Sequence, residues 1–142
     1  MPRKIWYWGA HILVPLLLGG LLYLLFCPDT LLSGWVYGFL GLPKPQVSLP
    51  EWLRLPLRNF ACDILWAYAL TYTLSLILGQ TKTGVALTGG IGIAVECGAE
   101  LLQKAGVIAG TFDPLDILLE GITTAFALSC IIYHFSKGRK NL

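Results

Sequence analysis

"VECGAELLQKAGVIAGTFDPLDILLEG", Val95 to Gly121, sets five carboxylates between apolar stretches of membrane length: Glu96, Glu100, Asp113, Asp116 and Glu120. An ionised side chain costs roughly 3 kcal/mol or more at a bilayer centre. A chain that keeps five of them there either folds them away from lipid or uses them. At 20 apolar residues or so per crossing, the surrounding sequence reads as four spans, 5–27, 60–79, 85–106 and 114–135. The fold class expected is therefore an all-α integral membrane protein, a single membrane domain over 1–142 built as a four-helix bundle. A long outer interfacial segment, 28–57, separates the first two helices.

Composition supports the same class. Of 142 residues, 56% are hydrophobic and 13% charged, and the mean hydropathy is +0.69, outside the range of soluble domains. Arg3 and Lys4 precede the first apolar run as they would in a signal peptide, but the run is longer than such an h-region and no small-x-small cleavage site follows it. With four spans, Arg3, Lys4, Lys82, Lys137, Arg139 and Lys140 share one side that holds no acid. The positive-inside rule then places both termini in the cytoplasm of a multi-pass protein of the bacterial cytoplasmic membrane. Cys27, Cys62, Cys97 and Cys130 have no metal-ligand spacing and read as small buried hydrophobes, with a Cys27–Cys62 disulfide as the alternative.

The carboxylates have helical addresses. On a helix, Glu96, Glu100 and Gln103 fall on one stripe, with Gly90, Ala94 and Gly98 nearly opposite, which predicts a third helix packed on both sides and central in the bundle. Asp113, Pro114 and Asp116 read together as N-cap, N1 and N3 of the last helix. Glu120 lies one turn deeper, beyond the reach of capping. Asn59 reads as the N-cap of the second span, and Arg58 as the ion-pair partner of Asp63.

At 1.5 Å per residue, Asp63, Gln103 and Asp116 form an outer layer, Glu100 and Glu120 a second roughly 9 Å down, and Glu96 a third. The candidate binding pocket is thus Arg58, Asp63, Glu96, Glu100, Gln103, Asp113, Asp116 and Glu120, opening outward. Arg58 and Lys104 are too few to neutralise it. Shared protons, a divalent cation held by Glu100, Glu120 and Asp116, or a cationic part of a ligand are the ways to do so. The plainer reading is a polar bundle core in which these acids and Gln103 bond to one another. The Pro-rich segment 28–57, with Trp35 and Trp52, reads as lying in the headgroup region, either as a lid or as a surface that holds a lipid.

The pattern Glu100-x-x-Gln103, a short link, then Phe112-Asp113-x-x-Asp116 resembles the VanZ-like family of small bacterial membrane proteins. "RNFACDILWAYAL", Arg58 to Leu70, is similar to the start of that family's second helix, so the resemblance runs over about 58–135. It implies a four-helix bundle, a functional interest in Glu100, Gln103, Asp113 and Asp116, and a link to teicoplanin resistance, without a mechanism. Glu120 stands where that family usually has Asn, Thr123 where it has Gly, and Thr111 where an Arg is frequent. The function expected is engagement of a membrane lipid, a cell-envelope intermediate or a lipophilic glycopeptide, with no cofactor beyond the divalent cation considered above and no nucleic-acid partner. Two alternatives stand beside it: a membrane enzyme acting on an outer-leaflet lipid through paired carboxylates, and a small proton-coupled transporter. Neither HExxH nor GxSxG occurs.

Overall fold

A computed structural model describes residues 2–108 and 111–139; Lys140 of the charge argument lies outside them, as do the side chains of Arg3, Lys4, Lys137 and Arg139. Six helices follow in order: α1 (Pro2–Phe26), α2 (Leu31–Leu40), α3 (Glu51–Asn59), α4 (Ala61–Leu78), α5 (Lys82–Lys104) and α6 (Pro114–Arg139). Four of them, counting α3 and α4 together, are long and apolar enough to cross a membrane, and no strand occurs among the described residues.

Local chemistry sets the boundaries. Thr81 caps α5 by accepting the Gly84 N–H at 3.0 Å, which starts that helix three residues before Val85, the start expected from hydropathy. Gly79 ends α4 at φ 80°, a conformation that favours glycine. Gly84 then seats against the Leu78 and Gly79 carbonyls with no room for a Cβ, so the α4–α5 hairpin is tight. Asp113 caps α6 as expected, its Oδ1 accepting the Leu115 N–H at 2.9 Å. Asn59 does not cap α4: it is the last residue of α3, and the following Phe60 donates its N–H to the Pro56 carbonyl at 3.0 Å. The chain therefore stays nearly helical through the junction, with only Phe60, at φ −122° and ψ −28°, marking the bend.

The segment 28–57 is more ordered than a plain interfacial loop. Thr30 caps α2, accepting the Ser33 N–H and donating to the Ser33 hydroxyl at 3.0 Å, and Tyr37 donates its hydroxyl to the Leu24 carbonyl at 3.1 Å. These bonds fold α2 back against the end of α1. α3 carries Glu51, Arg54 and Arg58 along about two amphipathic turns.

The central helix is α4, not α5: α4 packs against α1, α3, α5 and α6. Ala67, Ala69, Thr71 and Ser75 make its surface thin enough for neighbours to approach on every side. The Gly90–Ala94–Gly98 ridge of α5 meets no partner; a Cβ on Gly90 or Gly98 would stand in open space. α5 packs instead through the opposite stripe, where Gly89 abuts Leu128 and Gly92 abuts Thr124. The bundle is inverted relative to a water-soluble domain. Leu17, Ile77, Ile122 and Phe126 are exposed, whereas Thr71, Ser75, Thr88, Thr124 and Glu96 are buried. Such a distribution suits an apolar solvent, in which the surface gains nothing from polarity and polar groups pair inside.

Candidate functional site

Three helices bring the carboxylates together at the end of the bundle that carries α2 and α3. Asp63 stands in the first turn of α4, Glu96 and Glu100 one turn apart on α5, and Asp116 and Glu120 one turn apart on α6. Glu96, Glu100 and Glu120 are buried, at 1%, 5% and 7% exposure. Asp63 and Asp116 are half-buried. Their charges bear on one another: Asp116 and Glu100 act on Asp63, and all four of the others act on Glu120.

Each acid has a different polar neighbour. Glu100 Oε2 accepts the backbone N–H of Asp113 at 3.0 Å, joining the end of α5 to the start of α6. Glu96 Oε1 accepts the Thr124 hydroxyl at 2.6 Å, a short bond of the kind made to carboxyl oxygens. Thr124 in turn lies 3.2 Å from the Thr71 hydroxyl, which donates to the Ala67 carbonyl at 2.8 Å. One oxygen each of Glu120 and Asp116 is buried with no hydrogen-bond partner.

Two residues expected in this group lie apart from it. Arg58 does not pair with Asp63; its guanidinium reaches the Cys27 thiol, where burial pushes the thiol up and the nearby cation opposes that. The α3–α4 bend turns Arg58 away from the face that carries Asp63. Among the described residues the ion pairs are Lys44–Asp29 at 2.8 Å and Arg54–Glu51 at 3.7 Å, both well outside the acid cluster. Gln103 is half-buried in the last turn of α5 and makes no hydrogen bond with the acids. Lys104 sits 4.8 Å over the Phe112 ring and does not neutralise them. Among the described residues no group of three His, Cys, Asp or Glu side chains is arranged to hold a metal ion. The four cysteines are free thiols, and Cys62 donates to the Gly19 carbonyl at 3.5 Å.

Asp63 stands in the wall of a cleft of about 610 Å³ between α1, α2 and α4. Pro15, Leu16, Gly20, Leu21, Val36 and Trp66 are among its other lining residues, so Asp63 and Trp66, three residues apart on α4, share a face. A second cleft, of about 590 Å³, lies under the 28–50 segment and is half polar, with Arg54, Arg58, Thr30, Gln46 and the Asp29 carboxylate in its walls beside Leu25, Phe26 and Val47. The two clefts flank the Cys27 and Cys62 thiols, which are close enough to interact.

The residues that the sequence reading passed over are the hydroxyls: Thr71 and Ser75 on α4, Thr88 on α5, and Thr124 on α6, all buried. Their signal was a four-residue spacing, Thr88–Gly92–Glu96–Glu100 on one helix, Ala67–Thr71–Ser75 on another and Glu120–Thr124 on the third. No family model, curated protein or solved structure matches the chain.

Proposed function

We propose that the protein is a four-span protein of the bacterial cytoplasmic membrane, with both termini cytoplasmic, that binds an amphiphile bearing an anionic head, either a phospholipid or a lipid-linked envelope intermediate. The observation that carries this reading is the adjacency of the two clefts. One offers apolar walls long enough for an acyl or prenyl chain, and its neighbour offers two guanidinium groups one helical turn apart. Arg is the side chain best matched to phosphate oxygens. Arg58 has no carboxylate partner to displace, and the Arg54–Glu51 contact is long, between exposed side chains. A chain in the first cleft lies beside Asp63, which links occupancy to the buried acids.

This reading moves the ligand from the acid cluster, where the sequence placed it, to the α1–α2–α4 face. The resemblance to VanZ-like proteins is compatible with it, and a lipophilic glycopeptide, which also joins an alkyl chain to a polar head, belongs to the same class of ligand. Native mass spectrometry of the full chain from nanodiscs tests the proposal. Retention of phosphatidylglycerol over phosphatidylcholine is expected, together with its loss in Arg54→Gln/Arg58→Gln. Gly20, whose Cβ position is open space in the apolar cleft, supplies a second variant: Gly20→Phe fills the chain site without touching the arginines. Equal retention of both lipids, unaffected by either variant, would overturn the reading.

A further inference from the structure

The cleft between α1, α2 and α4 has apolar walls and a single charge. Asp63 is the only Asp, Glu, Lys, Arg or His that lines it among the described residues. Its volume of about 610 Å³ lies within the range of pockets that hold small organic molecules, about 300 to 1,000 Å³. The Asp63 carboxylate takes part in no hydrogen bond and no ion pair among the described residues. Arg58, the cation closest to it in sequence, is turned to Cys27. The charges that bear on Asp63 are those of Asp116 and Glu100, both of its own sign. A carboxylate inside a membrane-length helix is normally paired, because an unpaired charge is costly away from water.

Contacts between α1 and α4 fix the level of Asp63 along the cleft. The Cys62 thiol donates to the Gly19 carbonyl at 3.5 Å, and a Cβ on Gly19 would stand 3.5 Å from the Leu65 Cβ. Gly19 is therefore level with the turn 62–65 of α4, which contains Asp63. On α1 the lining runs from Pro15 to Leu24, about 6 Å of wall to one side of Gly19 and about 7 Å to the other at 1.5 Å per residue. The carboxylate thus stands near the middle of the cleft, with apolar wall on both sides. The amine of a lipid head group lies at one end of its molecule and does not match that arrangement. A compact cation whose charge is enclosed by its own apolar groups does.

A metal ion is a poor occupant, because hard divalent cations take about six or more oxygen ligands and Asp63 supplies the only carboxylate of the cleft. An organic cation needs one counter-charge and is further held by an aromatic face. Trp66, one turn beyond Asp63 and in the same wall, is 43% exposed, and Tyr23 lines the α1 side. We propose that the α1–α2–α4 cleft binds a lipophilic organic cation, of the kind formed by a tertiary or quaternary amine, whose apolar groups fill the walls and whose charge meets the Asp63 carboxylate and the Trp66 ring. This cation and the chain of the anionic amphiphile exclude one another from the same walls. Their charges rest on different residues, so either reading stands without the other.

Tetraphenylphosphonium, a compact permanent cation, is the probe, and tetraphenylborate is its anionic counterpart of nearly the same shape. Titration calorimetry of the full chain in dodecyl maltoside micelles, with empty micelles as the blank, should show saturable binding of the phosphonium and none of the borate. Asp63→Asn removes the counter-charge and should weaken phosphonium binding about tenfold or more, whereas Asp63→Glu, which keeps the charge, should retain most of it. Trp66→Leu should weaken it about threefold or more. Gly20→Phe, which fills the cleft and leaves Asp63 in place, should block it, and circular dichroism checks that each variant is folded. Absence of phosphonium binding to wild type would overturn the proposal. So would equal binding of the borate, or a folded Asp63→Asn that binds the phosphonium as wild type does.

Discussion

Thr71 and Tyr72 are neighbours on α4, both fully buried, yet they belong to regions built on opposite principles. Thr71 bonds to Thr124 of α6 and joins a line of hydroxyls and carboxyls in which several buried oxygens have no partner. Tyr72 faces α1 and α6 and sits in an aromatic knot with Trp8, Ala127 and Ile131, ringed by Tyr7, Ile12, Tyr68 and Phe135. In that knot the polar atoms are paired: the Tyr72 hydroxyl lies 3.3 Å from that of Tyr7, and His11 Nδ1 lies 2.7 Å from the Tyr68 hydroxyl. Rings stack throughout, Tyr7 on His134 at 4.0 Å and His11 on Tyr72 at 4.5 Å. The difference separates two jobs along one helix. Interlocked rings hold the helices together, whereas the polar line joins them through a few hydrogen bonds and keeps buried oxygens without partners.

If that division is right, the largest loss of stability belongs to the knot. Tyr72→Ala removes a buried ring that touches two other helices and should cost about 3 kcal/mol or more, read as a fall in melting temperature in detergent. Tyr72→Phe, which keeps the ring, should cost far less. A Tyr72→Ala protein as stable as wild type would erase the contrast.

Breaking the polar line should be milder. Thr124→Val keeps the shape of the side chain but strips Glu96 of its donor, a loss of about 1 to 3 kcal/mol for a buried acceptor left unpaired. Its melting temperature should fall less than that of Tyr72→Ala. The reverse order would mean that the polar line is the main structural element.

A smaller effect is expected at the start of α6. Asp113→Ala removes the cap on Leu115 and should cost about 1 kcal/mol, but it leaves the backbone N–H that binds Glu100 in place. The α5–α6 tie through Glu100 should survive, so this variant separates loss of a helix cap from loss of that tie, which Glu100→Gln weakens.

The smallest effect is at the exposed Asp29–Lys44 pair. The hydrogen bond and charge of Lys44 hold the Asp29 carboxyl below its ordinary range. A depressed pKa stabilises the fold above the unfolded-state value, and that contribution is lost as pH falls through the folded-state value. The difference in melting temperature between wild type and Asp29→Asn should therefore be slight at neutral pH, vanish below the usual carboxylate range, and shrink in high salt. A difference that persists at low pH would assign Asp29 a role other than this pair.

Much of this was legible in the residues. Hydropathy marked four membrane-length segments, because about 20 apolar residues in a row have few other uses. The Asp113–Pro114–Asp116 start signal is local chemistry, and it formed as read. Helical spacing placed Glu96 and Glu100 on one buried stripe, and depth counted from the helix ends brought Asp63, Asp116 and Glu120 to the same end of the bundle.

What the sequence could not decide was which side of each stripe meets another helix. Gly90, Ala94 and Gly98 form as good a packing ridge as Gly89 and Gly92 by composition, yet only the latter pair meets α6. Periodicity defines the faces of a helix, and only the arrangement of its neighbours says which face is covered. The same limit governs Arg58, adjacent to Asp63 in the chain but turned to Cys27 by a bend at one residue, Phe60. It governs the hydroxyls too. In an apolar helix a Thr can bond to its own backbone four residues back, as Thr71, Thr73 and Thr123 all do. Whether it also bonds across to a glutamate on another helix depends on a distance that no single segment contains. At Thr124 that distance is 2.6 Å, set by close approach at Gly92, where a Cβ would meet the Thr124 side chain at 3.6 Å.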